Sequence, residues 1–160
     1  MISHDVLDRL AAQLEESSAL SWSSIKRLHN PSSGHPLLEI RPTNPDAAPI
    51  RVMVTEEKVV LFCGRGAVLE VPERGGRYTA FDLWGEIWAL ISAVMRGAFE
   101  ETVFFHRDEV IGARARIFVT PDDVAHESWN RLSLRSLLGR RVTKQFSYAP
   151  YTPQQRPPAG

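Results

Sequence analysis

Residues able to do chemistry are few in this sequence and widely scattered. Two glycines one residue apart, Gly64 and Gly66, follow the apolar run Val59 to Cys63 in "VVLFCGRGAVLEV". A glycine pair after a strand could cradle a phosphate. A dinucleotide-binding loop, however, opens a helix whose free N–H groups hold the pyrophosphate. Here "AVLEVP" follows instead, rich in β-branched residues and ended by Pro72, with no third glycine at the required spacing. "CGRGA" therefore reads as a hairpin turn in which Gly64 or Gly66 supplies a positive φ.

The other reactive types are no better organised. His4, His29, His35, His106 and His126 show neither one-turn helical spacing nor accompanying cysteine pairs, so no metal site is expected. "HRDE" gathers His106, Asp108 and Glu109, but at a hairpin tip, where polar side chains are solvated. Cys63 stands beside Leu61 and Phe62 and reads as a buried core thiol without a base. The serines at 17, 18, 21, 23 and 24 form no nucleophile elbow. The acid pairs Glu15/Glu16, Glu56/Glu57 and Glu100/Glu101 read as solvated faces. Neither a catalytic constellation nor a cofactor site is expected.

Charge is more informative. The chain is neutral overall, yet no acid follows Glu127, while Arg131, Arg135, Arg140, Arg141, Lys144 and Arg156 are basic. Residues 128–160 thus carry +6 and residues 1–127 carry −6. Such a bipolar chain suits an acidic partner, an anionic polymer or its own acidic part. Arg131 and Arg135, four apart, would share a helix face able to grip carboxylates or phosphates. Arg114 and Arg116 could extend that patch from a strand. Trp22 and Trp129 are possible interface anchors. Trp84 and Trp88, one turn apart, read first as packing under a sheet.

These residues must be positioned by a mixture of helices and strands. Val6, Leu7, Leu10, Ala11 and Leu14 predict a helix over 4–16, and Ile25 with Leu28 suggests a short second one. Strands are expected at 36–42, 50–54, 59–63 and 67–71. A helix over 80–96 follows, with Thr79 as N-cap, Asp82 in the capping-box position, Tyr78 and Leu83 as a staple, and Gly97 as stop. Residues 101–120 read as a hairpin turning at "HRDE". Thr120-Pro121-Asp122-Asp123 looks like the start of a last helix, running to Leu138 with Gly139 as its stop.

At 160 residues the chain suits one domain able to bury a core unaided. One cysteine excludes a disulfide-rich scaffold. "MISHDVLDRL" lacks the pattern of a signal peptide, and the apolar stretch Leu83 to Met95 is well short of the ~20 residues of a membrane span. A cytoplasmic protein without membrane contact is expected. The fold class is α+β: an antiparallel sheet of about six strands with helices on one face, in the order α-α-β-β-β-β-α-β-β-α. One domain spans 1–146, and 147–160 is a flexible Pro-rich tail.

That order resembles small α+β adaptors, including type III secretion chaperones and some toxin-immunity proteins. The missing catalytic constellation, the charge asymmetry and the Trp and Leu residues left over once a core is assigned lead us to expect a non-enzymatic bacterial module that recognises a partner protein through its sheet or its basic C-terminal helix. The residues to watch are Arg131, Arg135, Arg140, Arg141, Lys144, Arg114, Arg116 and Trp129. Two alternatives stand beside it: nucleic-acid binding by the basic 131–144 segment, and a small-ligand pocket or enzyme site between the sheet and helix 80–96. A homo-oligomer is also compatible with the apolar helix.

Overall fold

The computed structural model describes residues 5–17, 21–71, 80–130 and 141–152. Helix α1 (Asp5–Glu16) buries Leu7, Leu10, Ala11 and Leu14, a single stripe at three- and four-residue spacing. Five strands follow: β1 (Ser23–His29), β2 (Pro36–Pro42), β3 (Ile50–Val54), β4 (Val59–Cys63) and β5 (Ala67–Val71). They form an antiparallel meander in the spatial order β1-β2-β3-β4-β5. Helix α2 (Ala80–Met95) then leads to β6 (Phe99–His106), β7 (Glu109–Thr120), β8 (Asp123–Asn130) and β9 (Val142–Ser147). These make a second antiparallel sheet, ordered β8-β7-β6-β9.

The core follows from strand alternation. In β3, Ile50, Val52 and Val54 are buried while Arg51 is exposed. Register stacks these residues with like ones: Ile50 lies opposite Ile40 and Cys63, and Val52 opposite Leu38 and Leu61. Helix α1 packs on β2 and β3, α2 packs on β7 and β5, and the two sheets meet where β5 lies against β8. Phe99, Ala115 and Ile117 of the second sheet enter the same apolar cluster. Leu10, Leu14, Leu38, Ile50, Leu61 and Ile87 are fully enclosed. At about 1.5–3 kcal/mol for each such side chain, this core holds the domain without a staple.

The mixed α+β class, the four strands at 36–42, 50–54, 59–63 and 67–71, helix α2 and the hairpin at "HRDE" all occur as expected. The hairpin tip places Arg107 and Asp108 at φ 48° and 66°, the backbone of a two-residue turn matched to strand twist. Four expectations need correction. Among the described residues the strands number nine in two sheets, not about six in one. Residues 23–29 are a strand, because Ser23 to His29 pair with Pro42 to Pro36 along their whole length. Residues 123–130 are also a strand: Pro121 and Asp122 form a tight turn that sets Thr120 opposite Asp123. Proline followed by an acid suits a β-turn as well as a first helical turn. The element order behind the adaptor resemblance is therefore not the observed one.

The fourth correction concerns the tail. The Ala149 N–H donates to the Asp46 carbonyl at 3.0 Å and the Tyr151 N–H to the Met95 carbonyl at 2.9 Å. Tyr151 is buried, its hydroxyl donating to the Ala48 carbonyl at 2.7 Å. The packed chain thus continues through Tyr151 rather than ending at Phe146. Tyr78, Thr79, Leu134, Leu137, Leu138 and Gly139 lie outside the described residues. Among those described, no helix is long and apolar enough to cross a membrane.

Candidate functional site

The alternation that buries Val103, Ala113, Ala115 and Ile117 turns the intervening side chains of the second sheet outward. Glu100, Thr102 and Phe104 on β6 share that face with Arg114, Arg116 and Phe118 on β7, and with Gln145 and Ser147 on β9. Glu100, Thr102, Arg114, Arg116, Glu127 and Gln145 are among the residues lining a groove of about 780 Å³. Its cations rest on rings: the Arg114 guanidinium lies 5.7 Å from the Phe104 centroid and that of Arg116 lies 5.5 Å from Phe118. Arg116 also pairs with Glu100. Both partners are well exposed, so the pair contributes no more than about 1 kcal/mol and can exchange partners readily. The groove reaches β9, an edge strand that is exposed along nearly all its length.

Beneath this face lies a buried polar knot. Glu101 is 2% exposed, and its carboxylate accepts the backbone N–H groups of Arg65 at 2.6 Å, Gly66 at 3.0 Å and Ala67 at 3.2 Å. It also accepts the Tyr148 hydroxyl. The Trp129 indole N–H donates to the Gly66 carbonyl, and Tyr148 stacks on Phe99 with centroids 5.1 Å apart. The glycine turn is thus an anion-binding nest after all, filled by a carboxylate of its own chain. Gly64, at φ 63°, supplies the left-handed backbone that the turn needs. Glu101 corrects the reading of the acid pairs as solvated; Glu15, Glu16, Glu56 and Glu57 are exposed as that reading requires.

Cys63 ends the strand that enters this turn and is buried. Burial, with the Glu101 charge second, pushes its thiol from 9.0 up to about 12. A raised thiol pKa favours the neutral form in the fold, so its stabilising contribution is complete below pH 9 and is lost as pH rises from 9 toward 12. Native protein at pH 8 should therefore resist maleimide that labels it fully in guanidinium. Rapid native labelling would show that the end of β4 opens. The same burial, followed by the hydrogen bond to Glu101, raises the Tyr148 hydroxyl, which keeps its proton as donor.

The sequence-selected residues divide into separate groups. Arg114 and Arg116 line the groove. Lys144 is exposed on β9, 5.4 Å over the Phe105 ring, and Arg141 is exposed just before that strand. Trp129 is engaged between the sheets by its bond to Gly66. Arg131, Arg135 and Arg140 lie outside the described residues. Trp84 and Trp88 stack with centroids 6.4 Å apart and pack against the core, Arg9 lying 4.5 Å over Trp84. His106 is half-buried beside exposed Asp108 and Glu109, and no group of metal-ligating side chains occurs among the described residues. Thr102, Phe104 and Gln145 carry no local signal and Glu100 reads only as half of an acid pair, though their parity with Arg114 and Arg116 marks them as one face. No protein-family model matches this chain, and neither does any curated protein or solved structure.

Proposed function

We propose that this chain is a non-enzymatic protein-binding module, an adaptor of the bacterial cytosol. It takes an extended segment of its partner onto the outer edge of β9, with side chains laid into the adjoining groove. The observation that carries this reading is the groove itself, about 780 Å³, running from β7 across β6 to an edge strand. An added strand gains main-chain hydrogen bonds from such an edge, and alternate side chains find their specificity on the face beside it. Arg114 has no carboxylate partner among the described residues, so it is the natural receptor for an acidic side chain of the incoming segment.

Rings and arginines on an open sheet also suit stacked bases. The charge of the groove favours the peptide reading. Glu100, Glu101 and Glu127 line the groove against two arginines, whereas nucleic-acid affinity draws chiefly on net positive surface.

Panning the protein against a displayed library of extended peptides tests the proposal. Selected peptides should slow hydrogen exchange at β9 amides, and Arg114→Glu should weaken them by about tenfold or more. Peptides that protect amides elsewhere, or that ignore Arg114→Glu, would remove this face from the proposal. Tight, salt-sensitive binding of a single-stranded oligonucleotide at the groove would transfer the face to nucleic acid.

A further inference from the structure

A second cavity lies apart from the groove, where the end of α1, the approach to β1, the last turns of α2 and the chain at 151–152 converge. It is an open pocket of about 300 Å³, at the small end of the roughly 300–1,000 Å³ typical of ligand sites. Trp22, Trp88, Met95 and Tyr151 supply its apolar walls, and Ser92 and Arg96 add polar groups. Among the described residues the lining contains no carboxylate, and Arg96 is its single formal charge.

Several of these groups are held in place from outside the cavity. Trp88 is stacked on Trp84 at an interplanar angle of 14°. Tyr151 is fixed by its hydroxyl on Ala48 and its N–H on Met95. Arg96 donates one N–H to the Val119 carbonyl at 3.2 Å, and no carboxylate pairs with it among the described residues. A guanidinium has five N–H donors in a planar fork, so one anchoring bond leaves a bidentate edge available.

We propose that this cavity binds a small planar aromatic carboxylate, its ring against Trp22 and Trp88 and its carboxylate on Arg96. Indole and thioether walls favour a flat ring over a branched aliphatic chain. A guanidinium with no carboxylate beside it among the described residues selects an anion over a neutral or cationic ligand. Nothing in this site depends on the groove or on β9, so the two proposals stand or fall separately.

Calorimetric titration of the full-length protein with 2-naphthoate, and with the isosteric neutral 2-naphthamide, tests the assignment. Naphthoate should bind, and the amide should bind about tenfold or more weakly. Arg96→Gln should weaken naphthoate by a similar factor and leave the amide unchanged. Ser92→Trp should abolish both by filling the space, its fold being checked by circular dichroism. Arg96→Gln changes an exposed residue, so the charge test survives even if Ser92→Trp fails to fold. No binding, equal affinity for acid and amide, or indifference to Arg96→Gln would each overturn the proposal. Binding lost in Arg114→Glu but kept in Arg96→Gln would do the same, by placing the probe in the groove.

Discussion

Glu101→Ala should lower the free energy of unfolding by about 3–5 kcal/mol, a large part of the 5–15 kcal/mol typical of a domain. Four donors converge on this carboxylate: the N–H groups of Arg65, Gly66 and Ala67, and the Tyr148 hydroxyl. Alanine leaves all four facing a buried void, and an unsatisfied buried donor costs about 1–3 kcal/mol. The total falls short of four such terms because Tyr148 can rotate and water can enter from the groove, which Glu101 also lines. Glu101→Gln should be milder, about 1–3 kcal/mol, since one oxygen still accepts while the amide nitrogen sets donors against donors. Urea unfolding of the three proteins measures this order. A loss below about 1 kcal/mol for Glu101→Ala would mean that the turn is held by its own backbone and that Glu101 merely occupies space.

The anchor for this knot was legible in the strand and passed over. In "FEETVFF" Glu101 shares parity with Phe99 and Val103, both of which face the core. An acid at such a position must be buried with partners, or the strand assignment fails. A solvated Glu100/Glu101 pair is incompatible with that constraint. Strands β2 to β5 were readable because each carries apolar alternation or a continuous apolar run bounded by turn residues. β1 was not, for it is an edge strand with only Ser23 buried and Ile25 half-buried. Leu28 points to the other face and is exposed, so two apolar residues three apart imitated a helix. β8 was lost to Pro121-Asp122, whose chemistry begins a helix or closes a hairpin with equal ease. The pairing partner β7, far better at closing the hairpin than any local signal, decided it. The groove could be inferred only from parity between strands, since register is fixed by tertiary packing rather than by local residue preference.

Gly64→Ala should destabilise the protein by about 2–5 kcal/mol, and it distinguishes backbone strain from the loss of space. At φ 63° an L-residue is disfavoured by about 1–2 kcal/mol. A Cβ there would also lie 2.6 Å from Glu101 Oε1, 2.8 Å from the Phe99 ring and 2.8 Å from the Tyr148 hydroxyl oxygen. Overpacking of that kind adds about 1–3 kcal/mol. Gly34 provides the control: its φ is 73°, but a Cβ would meet nothing within 4 Å. Gly34→Ala should therefore show the backbone term alone, about 1–2 kcal/mol. The double variant Gly64→Ala/Glu101→Ala should be less destabilised than the sum of its single changes by about 1–2 kcal/mol, because removing the carboxylate makes room for the methyl group. Equal effects at Gly34 and Gly64 would reduce the turn to a matter of φ. Strict additivity in the cycle would show that the methyl group and the carboxylate do not compete, and with that the close seating of the glycine turn on β6 would lose its support.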